Sequence, residues 1–410
     1  MNMPAKIMRA LGRHGIGVIR IVCDRVICAA SSSGIKVFSP LTVAKAAGRI
    51  FRWKTAAANW DKVRINRLST KNLEQMTMSL LKTLRWQDTI NVVDFATKTG
   101  RASVNLEFAR AEAHWRLKDQ PALEASRQRA IALLKNPTHG AISLINNENQ
   151  VINIASRLDL LIATEPHLAK IQKHALELAV EPSENAKAFV YWNSGLDKAP
   201  KLVRTCVAQM RKVYGSKLVE LSEANLSTYL PREPYLKRVL KLWPANYSDA
   251  IRVGLLARHG GVWLDATLYV NEDSTAGNYF GSDFFAYRYN GPRIASWFMV
   301  AKPGSYQARL LYATMLDYWS RNRKLKNYFL FHDIFEVLYH LDPKFKQEFD
   351  ASTQLDARPS LNMHNQLWRE YSEDDVQAAL KARPVQKLTY KPGKKPHGAG
   401  TLYSRLISQA

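Results

Sequence analysis

Cysteine is scarce in this chain: three in 410 residues, at Cys23, Cys28 and Cys206. A small, odd number is too few for a disulfide framework and fits a reducing compartment with free thiols. Long apolar runs are lacking as well. The best stretch, Gly15 to Ala30, is broken by Arg20, Asp24 and Arg25. It falls short of the roughly 20 apolar residues needed to span a bilayer, and it lacks the unbroken core and cleavage site of a signal peptide. Acidic residues are nearly absent from both ends. Residues 1–60 hold ten Lys or Arg against one acid, Asp24, and residues 381–410 hold seven basic residues and no acid. With a formal net charge of +24, such ends suit acidic lipid headgroups or a polyanionic glycan, or simply make a solvated basic surface. No nucleic-acid recognition motif accompanies the charge, so nucleic acid is not expected as a partner.

What is present marks a folded protein of two or three domains: 46% apolar residues and 10 Trp. Residues 1–65 read as a basic arm with little compact structure. Within it an interfacial helix places Leu11, Val18 and Val22 on one side and Arg9, Arg13 and Arg20 on the other. Residues 66–181 carry helical patterning, with hairpins expected over Leu73–Thr99 and Val104–Leu134. From Leu106 to Ala130 small residues alternate with large ones in a way that resembles a tetratricopeptide unit. Such a domain presents a surface to a protein partner, or it is a plain bundle that props up its neighbour.

Residues 182–391 change character. Strands are expected at Lys187–Trp192, Lys217–Leu221, Val262–Val270, Phe284–Tyr289 and Ser296–Ala301. Helices are expected at Pro200–Tyr214, interruptedly over Leu226–Leu242, at Ser248–Arg258, Tyr306–Arg321 and Tyr328–Leu341. Alternation of this kind predicts an α/β fold with a mainly parallel sheet. Ligands of such sheets sit at the carboxyl ends of the strands, here Trp192–Gly195 and Asp265–Thr267. The chain from about 382 reads as basic and loop-like, with 392–410 set apart as a tail.

The densest chemistry lies between Ser248 and Thr267. Ser248 suits a helix N-cap, and Ile251, Leu255 and Leu256 keep helical spacing. Gly260 and Gly261 stop that helix and allow a close backbone approach. Asp249 and Arg252 share a helix face, as an ordinary surface pair or as part of a site. Along the following strand Asp265 and Thr267 point the same way. His332, with Asp333 beside it, lies on a later helix, and His364 with Asn365 in a polar loop. Tyr191 and Trp192 are either core aromatics or a stacking platform.

Ser248-Asp249-x-x-Arg252 followed by Gly260–Thr267 resembles the core of the capsular polysaccharide synthesis glycosyltransferases. These are relatives of the DXD-containing sugar transferases and of the large clostridial glucosylating toxins. The resemblance runs from about Lys187 to Lys391, with Tyr191–Gly195, Tyr328–His332 and Gln386–Lys391 as supporting pieces. It implies a GT-A fold, a nucleotide-sugar donor and retention of anomeric configuration. It implies that Asp249 and Arg252 bind sugar hydroxyls and that Asp265 approaches the ribose and diphosphate. Tyr191, Trp192, Asn193 and Gly261 complete the donor-binding set, and Asp265 and His332 are the catalytic candidates.

A Mn²⁺ or Mg²⁺ ion would draw on Asp265, Thr267 and His364. Thr267 stands where the broader Asp-x-Asp motif has its second carboxylate, and a hydroxyl is a poor ligand for a hard cation. Either Asp265 holds an ion with few protein ligands, or Lys and Arg side chains neutralise the diphosphate. The expected function is transfer of a sugar from a nucleotide donor to a surface glycan or its lipid-linked precursor. The expected place is cytoplasmic, at the inner membrane face. The rival is a helical-repeat scaffold whose second domain binds a sugar nucleotide without turnover.

Overall fold

The computed structural model describes residues 27–28, 39–49, 52–147, 154–181, 186–325, 327–391 and 400–408. The chain divides into two compact units, Met1–Ala155 and Ser156–Ala410. The first is helical: α1 Pro40–Arg49, α2 Trp53–Trp60, α3 Thr70–Lys82, α4 Trp86–Lys98, α5 Val104–Arg116, α6 Gln120–Ala132 and α7 His139–Ile145. Ser69, Ser103, Asp119 and Thr138 cap α3, α5, α6 and α7 by accepting a first-turn N–H, which satisfies donors the helix itself leaves open. Both expected hairpins are there.

The expectation of little compact structure over 1–65 fails for its later part. Ala44, Ala46, Ala47, Ala56 and Trp60 share one core with Leu73, Leu80, Val93 and Leu106. Alanine lets helices approach closely but gives a weak apolar signal, and the basic charge masked it. The expected interfacial helix around Leu11–Val22 lies outside the described residues.

The second unit begins within α8 Ile154–Thr164 and continues with α9 Leu168–Glu177. The segment 156–181, expected with the helical domain, is anchored in this unit instead. Arg157 forms a buried ion pair with Glu336, and Arg309 Nε donates to the Ala175 carbonyl at 2.7 Å. Next come β1 Ala188–Tyr191, α10 Lys201–Tyr214, β2 Leu218–Leu221, α11 Leu236–Leu242, α12 Pro244–His259, β3 Gly261–Leu264, β4 Leu268–Val270, β5 Phe284–Arg288 and β6 Ile294–Ala301. The unit closes with α13 Tyr306–Arg321, α14 Leu330–Leu341, α15 Pro343–Ala351, α16 Asn362–Gln366, α17 Glu373–Ala382, β7 Val385–Lys387 and α18 Leu402–Ser408.

The main sheet has the order β2-β1-β3-β6-β5. β1 is parallel to β2 and β3, while β6 is antiparallel to β3 and β5, so only β6 opposes the other four. The mainly parallel α/β expectation therefore holds. Every residue of β1, β3 and β5 is buried, as expected for the central strands β1 and β3 covered on both faces; β5 is buried although it forms an edge of the sheet. Among the described residues no helix is long and apolar enough to cross a membrane. Cys206 is a buried free thiol.

Three local expectations are corrected. Val262–Val270 is not one strand: β3 ends at Leu264, the chain turns through Asp265–Thr267, and β4 leaves to pair with β7. Leu268 N–H closes that turn on the Asp265 carbonyl at 2.9 Å. Ser248 is not an N-cap, because α12 already starts at Pro244, whose fixed φ suits a first helical position. The basic end is not a loop-like tail, because Leu402 and Leu406 of α18 are buried with Leu202, Cys206, Met363 and Leu380.

Candidate active site

β3 delivers Asp265 at its carboxyl end, and α12 presents Asp249 and Arg252 from its buried face. The Arg252 guanidinium stands 3.2 Å from Asp249 and 3.3 Å from Asp265. It also donates to the Ser296 carbonyl at 2.7 Å and lies over the Trp263 ring, 5.3 Å from its centroid. One face of the guanidinium is thus held by packing and its edge by oxygen acceptors, the fork geometry that suits arginine.

Asp265 is engaged at both oxygens. Oδ1 accepts from Trp263 Nε1–H at 2.9 Å, and Oδ2 accepts from the Lys387 ammonium at 2.8 Å. The same ammonium donates to Thr267 Oγ1 at 2.7 Å. Asp265 and Thr267 do face one point, although a turn and not a continuous strand brings them there.

The two carboxylates are pushed apart in acidity. Burial drives Asp249 up to about 6, against the pull of Arg252 and with a push from Asp265. Burial acts on Asp265 too, but Lys387 and Arg252 outweigh it and hold that carboxyl below its ordinary value. Unequal environments of this kind mark pairs with different roles. Burial, followed by the charges of Arg252 and Arg293, lowers His332 to about 4, so its imidazole is neutral at pH 7. Its Nδ1 is buried without a hydrogen-bond partner.

The other candidates fall in different places. Val190 pairs with Leu264, so Tyr191 and Asp265 are neighbours on the same sheet rim. Tyr191 is a packed aromatic whose hydroxyl donates to Glu223 at 2.7 Å. Trp192 is half-buried, with Tyr390 edge-on at 5.4 Å. Asn193 is exposed and accepts from the Ser194 N–H at 2.9 Å. Gly261 sits at the far end of β3. Its φ is +88°, and an added Cβ would collide with the Lys187 carbonyl oxygen, so the close approach there is to the neighbouring strand. Asp333 turns away from the cluster and accepts from Asn327 at 2.6 Å. His364 belongs to the short helix α16, not to a loop. Burial and then the charge of Lys387 lower its pKa.

Among the described residues, no group of three or more His, Cys, Asp or Glu is placed to hold a metal ion. At the Asp265–Thr267 turn the available donors are one carboxylate and one hydroxyl, with an ammonium already between them. A divalent cation meeting both Asp265 and Thr267 would need the place that the Lys387 ammonium already takes, so it does not fit there while Lys387 is in place.

Lys387 is the residue that sequence reasoning missed. It lay within the Gln386–Lys391 piece, and only the β4–β7 register, with Leu268 opposite Lys387, shows which lysine meets Asp265. Cavity volume does not point there either. A depression of about 270 Å³ is lined by Asn362, Asn365, Gln366, Tyr371 and Asp375, and one of about 90 Å³ by Leu230, Gly254 and Tyr312 among others.

The fold and the cluster define an α/β protein with a guanidinium, an ammonium and two unequal carboxyls at the carboxyl rim of its sheet. The chain belongs to the capsular polysaccharide synthesis protein family, which it matches over residues 153–406. That membership ties it to capsule biosynthesis and to sugar-related substrates. No curated protein and no solved structure matches the chain.

Proposed function

We propose that the second unit is a GT-A-like glycosyltransferase that moves a sugar from a nucleotide donor to a capsular polysaccharide or its lipid-linked precursor. The observation that carries this reading is the convergence of Arg252 and Lys387 on Asp265 at the carboxyl rim. Transfer breaks the bond between the anomeric carbon and the diphosphate, whose oxygen leaves with the electron pair. The acceptor hydroxyl oxygen bonds that carbon and gives up its proton. Fixed cations beside the leaving oxygen stabilise charge that develops only as the bond breaks. Asp249 and the Arg252 edge are polar partners for sugar hydroxyls. His332 is neutral and half-buried, so its imidazole can accept a hydrogen bond from an attacking hydroxyl, and an arriving diphosphate would raise its pKa. Resemblance of the Asp249–Thr267 segment supports retention of configuration.

The test is product formation by the full chain from a panel of UDP-, GDP- and dTDP-sugars. At least one should be hydrolysed or transferred, and Asp265→Asn should lower that rate by about 10²–10³-fold, the usual loss for one preorganised electrostatic group. Unchanged turnover in Asp265→Asn would refute the assignment. Donor binding without any product would favour a non-catalytic sugar-nucleotide-binding role.

A further inference from the structure

We propose that Lys387 is the built-in cation of this site: its ammonium stands between Asp265 and Thr267, where a metal would be expected, and meets the donor diphosphate directly. The inference rests on the glycosyl-transfer reading above. An ammonium has three N–H donors. Two are spent on Asp265 Oδ2 and Thr267 Oγ1, at 2.8 and 2.7 Å. The third has no acceptor among the described residues, and the side chain keeps 23% of its surface exposed.

The ammonium is also held in place through the backbone. Leu268 pairs with Lys387, and Leu388 N–H donates to the Thr267 carbonyl at 2.9 Å. The cation and the turn it neutralises therefore belong to one two-stranded ribbon. Such a charge needs little reorganisation when substrate arrives. Around it Arg252 lies 3.3 Å from Asp265, so two cations, Arg252 and Lys387, meet that one carboxylate.

In the transfer step, the anomeric C–O bond breaks and its electron pair stays on the diphosphate oxygen. Lys387 donates a hydrogen bond to the diphosphate and remains protonated. The acceptor oxygen bonds the anomeric carbon, and its proton passes to His332 or to the released diphosphate.

The experiment is calorimetric titration of the full-length protein with UDP, GDP and pyrophosphate, in EDTA and in Mn²⁺. It is paired with electron paramagnetic resonance of free Mn²⁺ in the presence of protein. At least one of these anions should bind with affinities within about threefold in EDTA and Mn²⁺, and the free Mn²⁺ signal should not fall when protein alone is added. Lys387→Met should weaken binding in EDTA by at least tenfold and leave Asp265 Oδ2 free, so that added Mn²⁺ restores part of the loss. Lys387→Arg, which keeps the charge, should bind better than Lys387→Met in EDTA. Parent binding that requires Mn²⁺, or Lys387→Met binding as tightly as the parent in EDTA, would overturn the inference and leave the transferase reading standing. Binding of none of the three anions, with or without Mn²⁺, would remove both. If Lys387→Met does not fold by circular dichroism, the parent comparison and Lys387→Arg decide.

Discussion

Asp249 should be a residue that the fold would be more stable without. Its side chain is 13% exposed, and burial raises its pKa from 3.8 to about 6. The sign follows from proton binding. Between pH 3.8 and about 6 the native state holds a proton that the unfolded chain has released, so stability falls as pH rises through this window. Two pKa units correspond to about 3 kcal/mol, present in full above pH 6. Asp249→Asn removes that burden but also weakens the pairing with Arg252, so the net gain at pH 7 should be about 1–3 kcal/mol and near zero at pH 4.

His332 works in the opposite sense. With a folded value of about 4 against 6.5, its native neutral form loses stability as pH falls from 6.5 toward 4. In the parent the two slopes offset each other across roughly pH 4–6. Asp249→Asn should expose the His332 slope and make the protein more acid-sensitive while more stable at neutrality. The assay is thermal unfolding of parent and variant at several pH values between 4 and 7. A unit of this size shifts by about 2–4 °C per kcal/mol. Turnover should fall in the same variant. A parent–variant difference that does not change with pH, or destabilisation at pH 7, would show that burial does not burden this carboxyl.

Two further outcomes test the packing that positions the site. Gly261→Ala should destabilise the second unit by about 3 kcal/mol or more, combining positive-φ strain with a collision against the Lys187 carbonyl. Gly195→Ala, at the same φ of +88° with no atom within 4 Å of the added carbon, should cost only about 1–2 kcal/mol; equal losses in thermal melts would contradict the steric account. Leu402→Ala and Leu406→Ala should each cost about 2–5 kcal/mol in chemical denaturation, since both side chains are at most 3% exposed. Losses below about 0.5 kcal/mol would return α18 to the status of a surface tail.

How legible each part was depended on how local its cause is. Strands β1, β2, β5 and β6 were found to within one or two residues, because each is a short apolar or aromatic run of strand length. Asp249 and Arg252 were legible because an i,i+3 spacing fixes their shared face once the helix is granted. The turn at Asp265 was not. Ala266, Thr267 and Leu268 continue the strand-like composition, with no Gly or Pro to mark a corner. What breaks the strand is pairing of Leu268–Val270 with Val385–Lys387, more than a hundred residues away. The helices before Thr70 were hidden because their core is alanine and their surface basic.

Lys387 shows the same limit at the site itself. The chain has 59 Lys and Arg residues, and composition allowed basic groups to neutralise a diphosphate without telling them apart. A net charge of +24 is a property of the whole surface, felt over about a Debye length, roughly 8–10 Å in physiological salt. Leaving-group stabilisation needs one ammonium within hydrogen-bond reach of one oxygen. Only strand register converts the first into the second, by setting Lys387 across from Leu268 and its ammonium against Asp265 and Thr267. The threonine that weakens the turn as a metal site is thus an acceptor for the cation held there, and the departure from Asp-x-Asp and the presence of Lys387 become one feature with one test.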